Sequence, residues 1–187
     1  MAKVIIFGIQ DFAELAHYYL ENDSEHEVVA FCVNEEYIPS ENQFHNLPIV
    51  AFENIEENYP VNEYKFFAPM APVKMNRVRE KIYNEIKSKG YELISYVSSK
   101  ATIFNTSIGE NCFVLENNTI QPYVSIGNNV VLWSGNHIGH HSKIEDHVMF
   151  TSQVVLSGHC VVEKYATIGV NATIRDGITI AEGTFVA

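Results

Sequence analysis

Along the second half of the chain, apolar residues recur at every sixth position. The series is Ile108, Val114, Ile120, Ile126, Leu132, Ile138, Ile144, Phe150, Leu156, Val162, Ile168, Ile174, Ile180 and Val186, fourteen slots without a polar residue. With about half of residues apolar, chance fills one such phase roughly once in ten thousand trials, so the period belongs to the fold. Six is neither the 3.6 of an α-helix nor the 2 of an ordinary strand. It is the period of a parallel β-helix, in which each hexad forms one short side of a coil and three hexads make a turn of about eighteen residues. The fifth position of the hexads agrees. Eleven of thirteen residues there are Cys, Ser, Ala, Thr, Val or Ile, as a narrow interior requires, and the two exceptions are Asn118 and Asn136. Glycine takes the second position at Gly109, Gly127, Gly139 and Gly169.

Residues 1–97 carry a different pattern. Apolar runs at Val4–Phe7, Val28–Val33, Leu47–Val50, Phe66–Ala68 and Leu93–Val97 predict strands, and helical spacing predicts helices over Asp11–Leu20 and Val73–Lys89, with Gly90 as a C-terminal cap. Strands alternating with helices predict a parallel α/β sheet, whose ligands bind beyond the carboxyl ends of its strands. That points to the Gly8-Ile9-Gln10-Asp11 turn and to Asn34-Glu35-Glu36. The Gly8 turn lacks the second and third glycines of a dinucleotide fingerprint, and Asp11 is expected to cap the helix that follows. Residues 98–107 read as a connector, giving two domains, 1–97 and 98–187.

Charge narrows the function. The 187 residues carry a net charge of -11, with the acidic excess in both halves and no basic stripe, which argues against nucleic acid and anionic membranes as partners. No apolar run is long enough to span a bilayer, and the N-terminus enters a strand without a signal-peptide pattern. Cys32, Cys112 and Cys160 read as buried free thiols, in keeping with a cytoplasmic location. The pattern stops at Ala187 without a cap, so either further chain or an oligomeric contact is expected to cover the end.

The candidate chemistry lies in the histidines. Five of the eight fall between His137 and His159 without breaking the hexad phase. His141 and His159, eighteen apart, are expected at the same corner of adjacent coils, with His140 beside them. Imidazole can take a proton from a hydroxyl or amine as it attacks an acyl donor. Glu145, Asp146 and Asn136 are candidate orienting groups by sequence proximity. A catalytic zinc would need a third ligand beside His141 and His159, and the spacing offers none. A metal-dependent hydrolase or hydratase and a non-catalytic binding scaffold remain the alternatives.

The run Ile138-Gly139-His140-His141-Ser142-Lys143-Ile144, then Leu156-Ser157-Gly158-His159 and Ile168-Gly169-Val170-Asn171-Ala172-Thr173-Ile174, resembles the hexapeptide-repeat acyltransferases. The sugar acetyltransferases of the sialic acid O-acetyltransferase and nucleotide-amino-sugar N-acetyltransferase kind are the nearest group. His137-Ile138-Gly139-His140 and Leu156-Ser157-Gly158-His159 are also similar to the acyl-carrier-protein-dependent acyltransferase of lipid A synthesis, which lacks a domain like residues 1–97. The resemblance implies a Rossmann-like sugar-nucleotide-binding domain followed by a left-handed β-helix, a homotrimer with active sites between subunits, and acetyl-CoA as co-substrate without a metal. It implies His140 as general base, with His141 standing where the family has a carboxylate. It implies a nucleotide-sugar site drawing on Gly8, Gln10, Asp11, Asn34, Glu35, Asn76, Asn136 and His137. For the CoA side it implies Gly158, His159, Gly169, Asn171 and Met149, the last in place of a family histidine.

Overall fold

Continuous apolar strands need cover on both faces, and the first unit supplies it. In the computed structural model, which describes residues 1–187, β1 (Lys3–Phe7), β2 (Glu27–Val33), β3 (Gln43–Phe44), β4 (Leu47–Ala51) and β5 (Tyr64–Phe67) form one sheet in the order β3-β4-β2-β1-β5. All neighbours pair in parallel except β3 with β4. Helix α1 (Asp11–Asp23) packs on β1 and β2 and buries Ala13, Ala16 and Leu20. The other core joins Ile5, Phe7, Ala30, Cys32 and Phe66 to Ile82, Tyr83 and Ile86 of helix α2 (Arg77–Ser88). The two compact units are Met1–Met70 with Ile82–Ile94, and Ala71–Lys81 with Ser95–Ala187.

These bounds correct the sequence reading in three places. The helix expected from Val73 starts only at Arg77, because Lys74, Met75 and Asn76 hold left-handed conformations at φ 49°, 50° and 62°. The strand expected over Leu93–Val97 is divided: Leu93 makes a single bridge to Phe66, whereas Tyr96–Val97 pairs with Phe113–Val114 of the second unit. Residues 98–107 are not a connector. They contain the strands Thr102–Ile103 and Ser107–Ile108, which pair with Thr119–Ile120 and Ser125–Ile126. Thr102 faces Thr119, one residue short of the offset of eighteen between Thr119 and His137. That missing residue shifts the phase and hides the first coil from a six-residue ruler.

From there the second unit is a parallel β-helix with three sheets of two-residue strands. The first and fifth hexad positions point inward and form one core from Cys112 to Ile174. Asn136 fits that core with both ends of its amide bonded, and Asn118 with its Nδ2 bonded and its Oδ1 left without a partner. Asn118 Nδ2 donates to the carbonyls of Leu115 and Trp133, Asn136 Nδ2 donates to Trp133, and Asn136 Oδ1 accepts from Val154 N. The outward positions separate the three faces. Lys143 and Val155 are exposed on theirs, but Phe113, Val131, Met149 and Thr167 are buried on the third. Segment 71–81 meets this third face, where Asn76 Nδ2 donates to Thr167 Oγ1 and to the Tyr165 carbonyl. No helix is long and apolar enough to cross a membrane.

Candidate active site

A coil of three short strands needs three tight corners, and each is made by a residue in the left-handed region. Such residues recur every six positions from Asn111 to Gly183. Stacking coils at eighteen residues therefore builds three corner ladders. One is Tyr123, His141, His159 and Gly177, with φ of 66°, 58°, 56° and 70°. Left-handed backbone costs a non-glycine residue roughly 1–2 kcal/mol, less for Asn and His than for most. The side chains at this corner project into solvent, stacked like rungs. The Tyr123 and His141 ring centroids are 4.6 Å apart, and His141 and His159 lie 4.9 Å apart at an interplanar angle of 14°.

His140 sits one residue before the turn and crosses this stack. Its ring is nearly perpendicular to those of His141 and His159, at 87° and 85°. His140 Nδ1 lies 3.1 Å from His141 Nδ1, a hydrogen bond in which one ring carries the proton and the other accepts it. The His140 backbone N–H donates to Gln121 Oε1. The ring is seated over Gly158: a Cβ there would fall 2.7 Å from His140 Cε1, so any side chain would push the imidazole away. One ring nitrogen from each of His140, His141 and His159 lies within 4.8 Å of the others. The third imidazole at this corner, which the spacing did not offer, is His140, brought in by the turn.

The other expected residues divide. His137 projects from the face that leads into this corner, between Thr119 and Val155. Asn136 is 1% exposed and bonded within the coil, so it neither orients His140 nor reaches a ligand. Asn76 is fully buried, and its amide is taken by Tyr165, Thr167 and Arg79. Met149 is likewise buried, on the face that segment 71–81 meets. The Gly169 N–H donates to the Val186 carbonyl and is spent on the ladder. Asn171 occupies the ladder of Gly135 and Gln153, a different corner from His140. Glu145 and Asp146 are engaged by Lys143 and Lys164. Asp146 Oδ1 also accepts from Asn128 N, and its carboxyl titrates below its ordinary range despite its burial, held down by that N–H and by Lys164.

In the first unit, Gly8 (φ +115°) ends β1 and Asn34 ends β2, side by side at the carboxyl edge of the sheet. The helix cap is Gln10, without a side-chain cap bond, and Asp11 is the first helical residue, where its charge favours the helix dipole. The residue missed at this edge is Glu53, just past β4. Its carboxylate accepts from Asn34 Nδ2 and from Glu35 N, both at 3.0 Å, which lowers its pKa. Only the carboxyl ends of neighbouring strands bring residues 34 and 53 together, and no local signal announces it.

His147 lies apart from this corner. His147, 6% exposed, stacks on Tyr165 at 9°, and its Nδ1 accepts from Asn129 Nδ2. Burial lowers its pKa from 6.5, outweighing the opposing pull of Glu80 and Asp146. A histidine with a lower folded than unfolded pKa binds more protons unfolded between the two values, so stability rises with pH across that window. Melting temperature is therefore expected to be highest above pH 6.5 and to fall as the pH drops below it. His17 and His26, lowered by burial too, add with the same sign. A His147→Gln variant, scanned over the same range, should show a shallower slope; an unchanged slope would remove His147 from this role. All three cysteines are buried free thiols, and burial pushes Cys112 up to about 11.

A sequence model described as bacterial transferase hexapeptide (six repeats) matches residues 105–140. The fold is similar to that of the acetyltransferase domain of PglB from Neisseria gonorrhoeae FA1090, with a TM-score of 0.81 and 17% identity over 99% of this chain and 88% of that one. It is similar to a mutant perosamine N-acetyltransferase from Caulobacter crescentus, solved with CoA and GDP-perosamine, at 0.81 and 17% over 99% and 85%. It also resembles WeeI from Acinetobacter baumannii AYE, at 0.74 and 15% over 100% and 95%.

Proposed function

We propose that this hexapeptide-repeat chain is an acetyltransferase, moving the acetyl group of acetyl-CoA to an amino or hydroxyl group of a nucleotide-linked sugar. The observation that carries the reading is the His140–His141 contact on a rigid corner. If His140 holds its proton on Nδ1 and donates it to His141 Nδ1, then His140 Nε2 presents a lone pair. That nitrogen takes the proton of the acceptor amine or hydroxyl as its N or O attacks the thioester carbonyl. The carbon–sulfur bond then breaks, and the imidazolium returns the proton to the leaving thiolate. His141, wedged between Tyr123 and His159, does by ring stacking and one hydrogen bond what the family's carboxylate does by charge. It is a positioning residue in this scheme.

The similar fold of enzymes solved with CoA and GDP-perosamine supports the choice of donor and acceptor class. A left-handed coil, a Rossmann-like first domain holding the nucleotide at the Gly8, Asn34 and Glu35 edge, a homotrimer and a cytoplasmic location belong to the same reading. The buried free thiols suit the last of these. Gly158 and His159 lie against His140 and, with His137 on the face that leads to it, are the ligand-contacting set we assign from this chain; Gly169, Asn171 and Met149 do not join His140 within one chain.

Thermal-shift measurement with acetyl-CoA and a panel of nucleotide amino-sugars tests the proposal. A ligand at 100 times its Kd adds about 2.7 kcal/mol of stability, a shift of several degrees. The expected result is a shift with acetyl-CoA and a further one with a nucleotide amino-sugar, followed by CoA release on mixing. No shift with either ligand class would overturn the reading in favour of a non-catalytic scaffold.

A further inference from the structure

The same corner carries a second chemistry. His140, His141 and His159 come from two adjacent coils, and the stacking interval of one turn delivers His141 and His159 to neighbouring rungs of one ladder. All three are exposed, so their lone pairs open to solvent, and one nitrogen from each lies within 4.8 Å of the others. Tetrahedral zinc, with Zn–N bonds of about 2.0–2.1 Å, sets its ligand nitrogens roughly 3.3 Å apart. The two Nδ1 atoms of His140 and His141 already stand 3.1 Å apart, close to that edge. Closing the third side asks His141 and His159, whose rings now stack at 14°, to turn their lone pairs toward one point, a rotation of exposed imidazoles on backbones held in the ladder. Two Nδ1 atoms facing each other make a good contact only when one proton is shared, whereas a cation between them uses both lone pairs.

From this we propose that His140, His141 and His159 form a binding site for one borderline divalent transition-metal ion, of which Zn2+ is the commonest fit to neutral imidazole. Three nitrogens leave a fourth position open to water. The group within 4.8 Å is three imidazoles, with the Asp176 carboxylate beside His140 over Gly158 but outside that group, so the donor set favours borderline ions over hard oxygen-seeking ones such as Mg2+ and Ca2+. Gly158 contributes no side chain of its own here, which leaves room for both the His140 ring and the Asp176 carboxylate. The site does not depend on the acetyl-transfer reading. It bears on it in one way: an ion held at this corner occupies imidazole lone pairs and adds positive charge beside the proposed base.

The test is metal binding by the full chain without substrate, so its outcome is separate from any acetyl-transfer assay. Zn2+ is titrated in competition with a chromophoric chelator, and Co2+ serves as a geometric probe through its visible absorption. One ion per chain is expected, with an intense tetrahedral Co2+ spectrum. Loss of even an outer-shell partner typically costs about 10-fold in metal affinity, so His140→Ala, His141→Ala and His159→Ala should each weaken binding by at least that. Circular dichroism and melting temperature confirm that each variant is folded; His159→Gln replaces any alanine variant at that position that is not. Absence of stoichiometric binding, a weak octahedral Co2+ spectrum, or binding insensitive to any one of the three substitutions would overturn the proposal.

Discussion

His140→Ala is expected to lower turnover about 100-fold or more while leaving the melting temperature close to that of the parent protein. A positioned general base contributes typically 10²–10⁴-fold, and truncation removes all of it. The fold should tolerate the change, because the side chain is exposed and surface substitutions usually stay within about 0.5 kcal/mol. The loss should appear in kcat more than in KM, since the proton transfer belongs to the transition state. His141→Ala should lower kcat by less, because His140 Nε2 survives and only its orientation is loosened. Steady-state CoA release, read beside thermal melting, distinguishes these cases. Parent-like turnover in a folded His140→Ala protein would remove His140 from the role of base.

Arg79→Met is expected to destabilise the protein by about 2–4 kcal/mol without touching the candidate site. Arg79 is 1% exposed and has no carboxylate among its hydrogen-bond partners. Its guanidinium donates to Asn76 Oδ1 and to the backbone carbonyl and Oδ1 of Asn129. Burial lowers its pKa to about 10, which still leaves it charged near neutrality. Methionine would relieve the cost of burying that charge and fill some of the space. It would also leave at least two buried oxygens without donors, each worth about 1–3 kcal/mol. The second effect wins because Asn76 sits in a left-handed segment that this bond helps to hold. Arg79→Lys, with a point charge in place of a planar fork, should fall between the two. Denaturant unfolding measures the difference; an Arg79→Met protein within about 0.5 kcal/mol of the parent would refute the argument.

Particular residues show how far the sequence could be read. The interior of the β-helix was legible from Ile108 onward because each hexad repeats the same local demand: an apolar residue inward, a small one next to the turn. Even Asn118 and Asn136 stood out as exceptions, although only the structure shows them bonding to backbone inside the core. The first coil was hidden because Ile103 and Ile108 are five apart, and a strict period cannot see a deletion. Val73–Asn76 looked helical by apolar spacing alone, yet left-handed backbone and the bonds of Asn76 to Tyr165 and Thr167 override that spacing. At the carboxyl edge of the first sheet, Asn34 was in view and Glu53 was not, since parallel pairing through β4 is what makes them neighbours.

What the sequence determined by itself is periodic and therefore local. A hexad repeat sets the coil, the coil sets eighteen residues per turn, and that interval places His159 on the same corner ladder as His141. What only the tertiary structure decided is which side chains are covered and which converge. Met149, Asn76 and Asn136 carry no mark in sequence that separates them from ligand contacts; they lose that role because a non-local segment or the coil's own backbone takes them from solvent. His140 gains its place beside two histidines because a left-handed turn at His141 swings its ring across the stack, an orientation set by backbone dihedrals and by the space over Gly158. Burial and convergence depend on residues far apart in the chain, and no period along the chain encodes them.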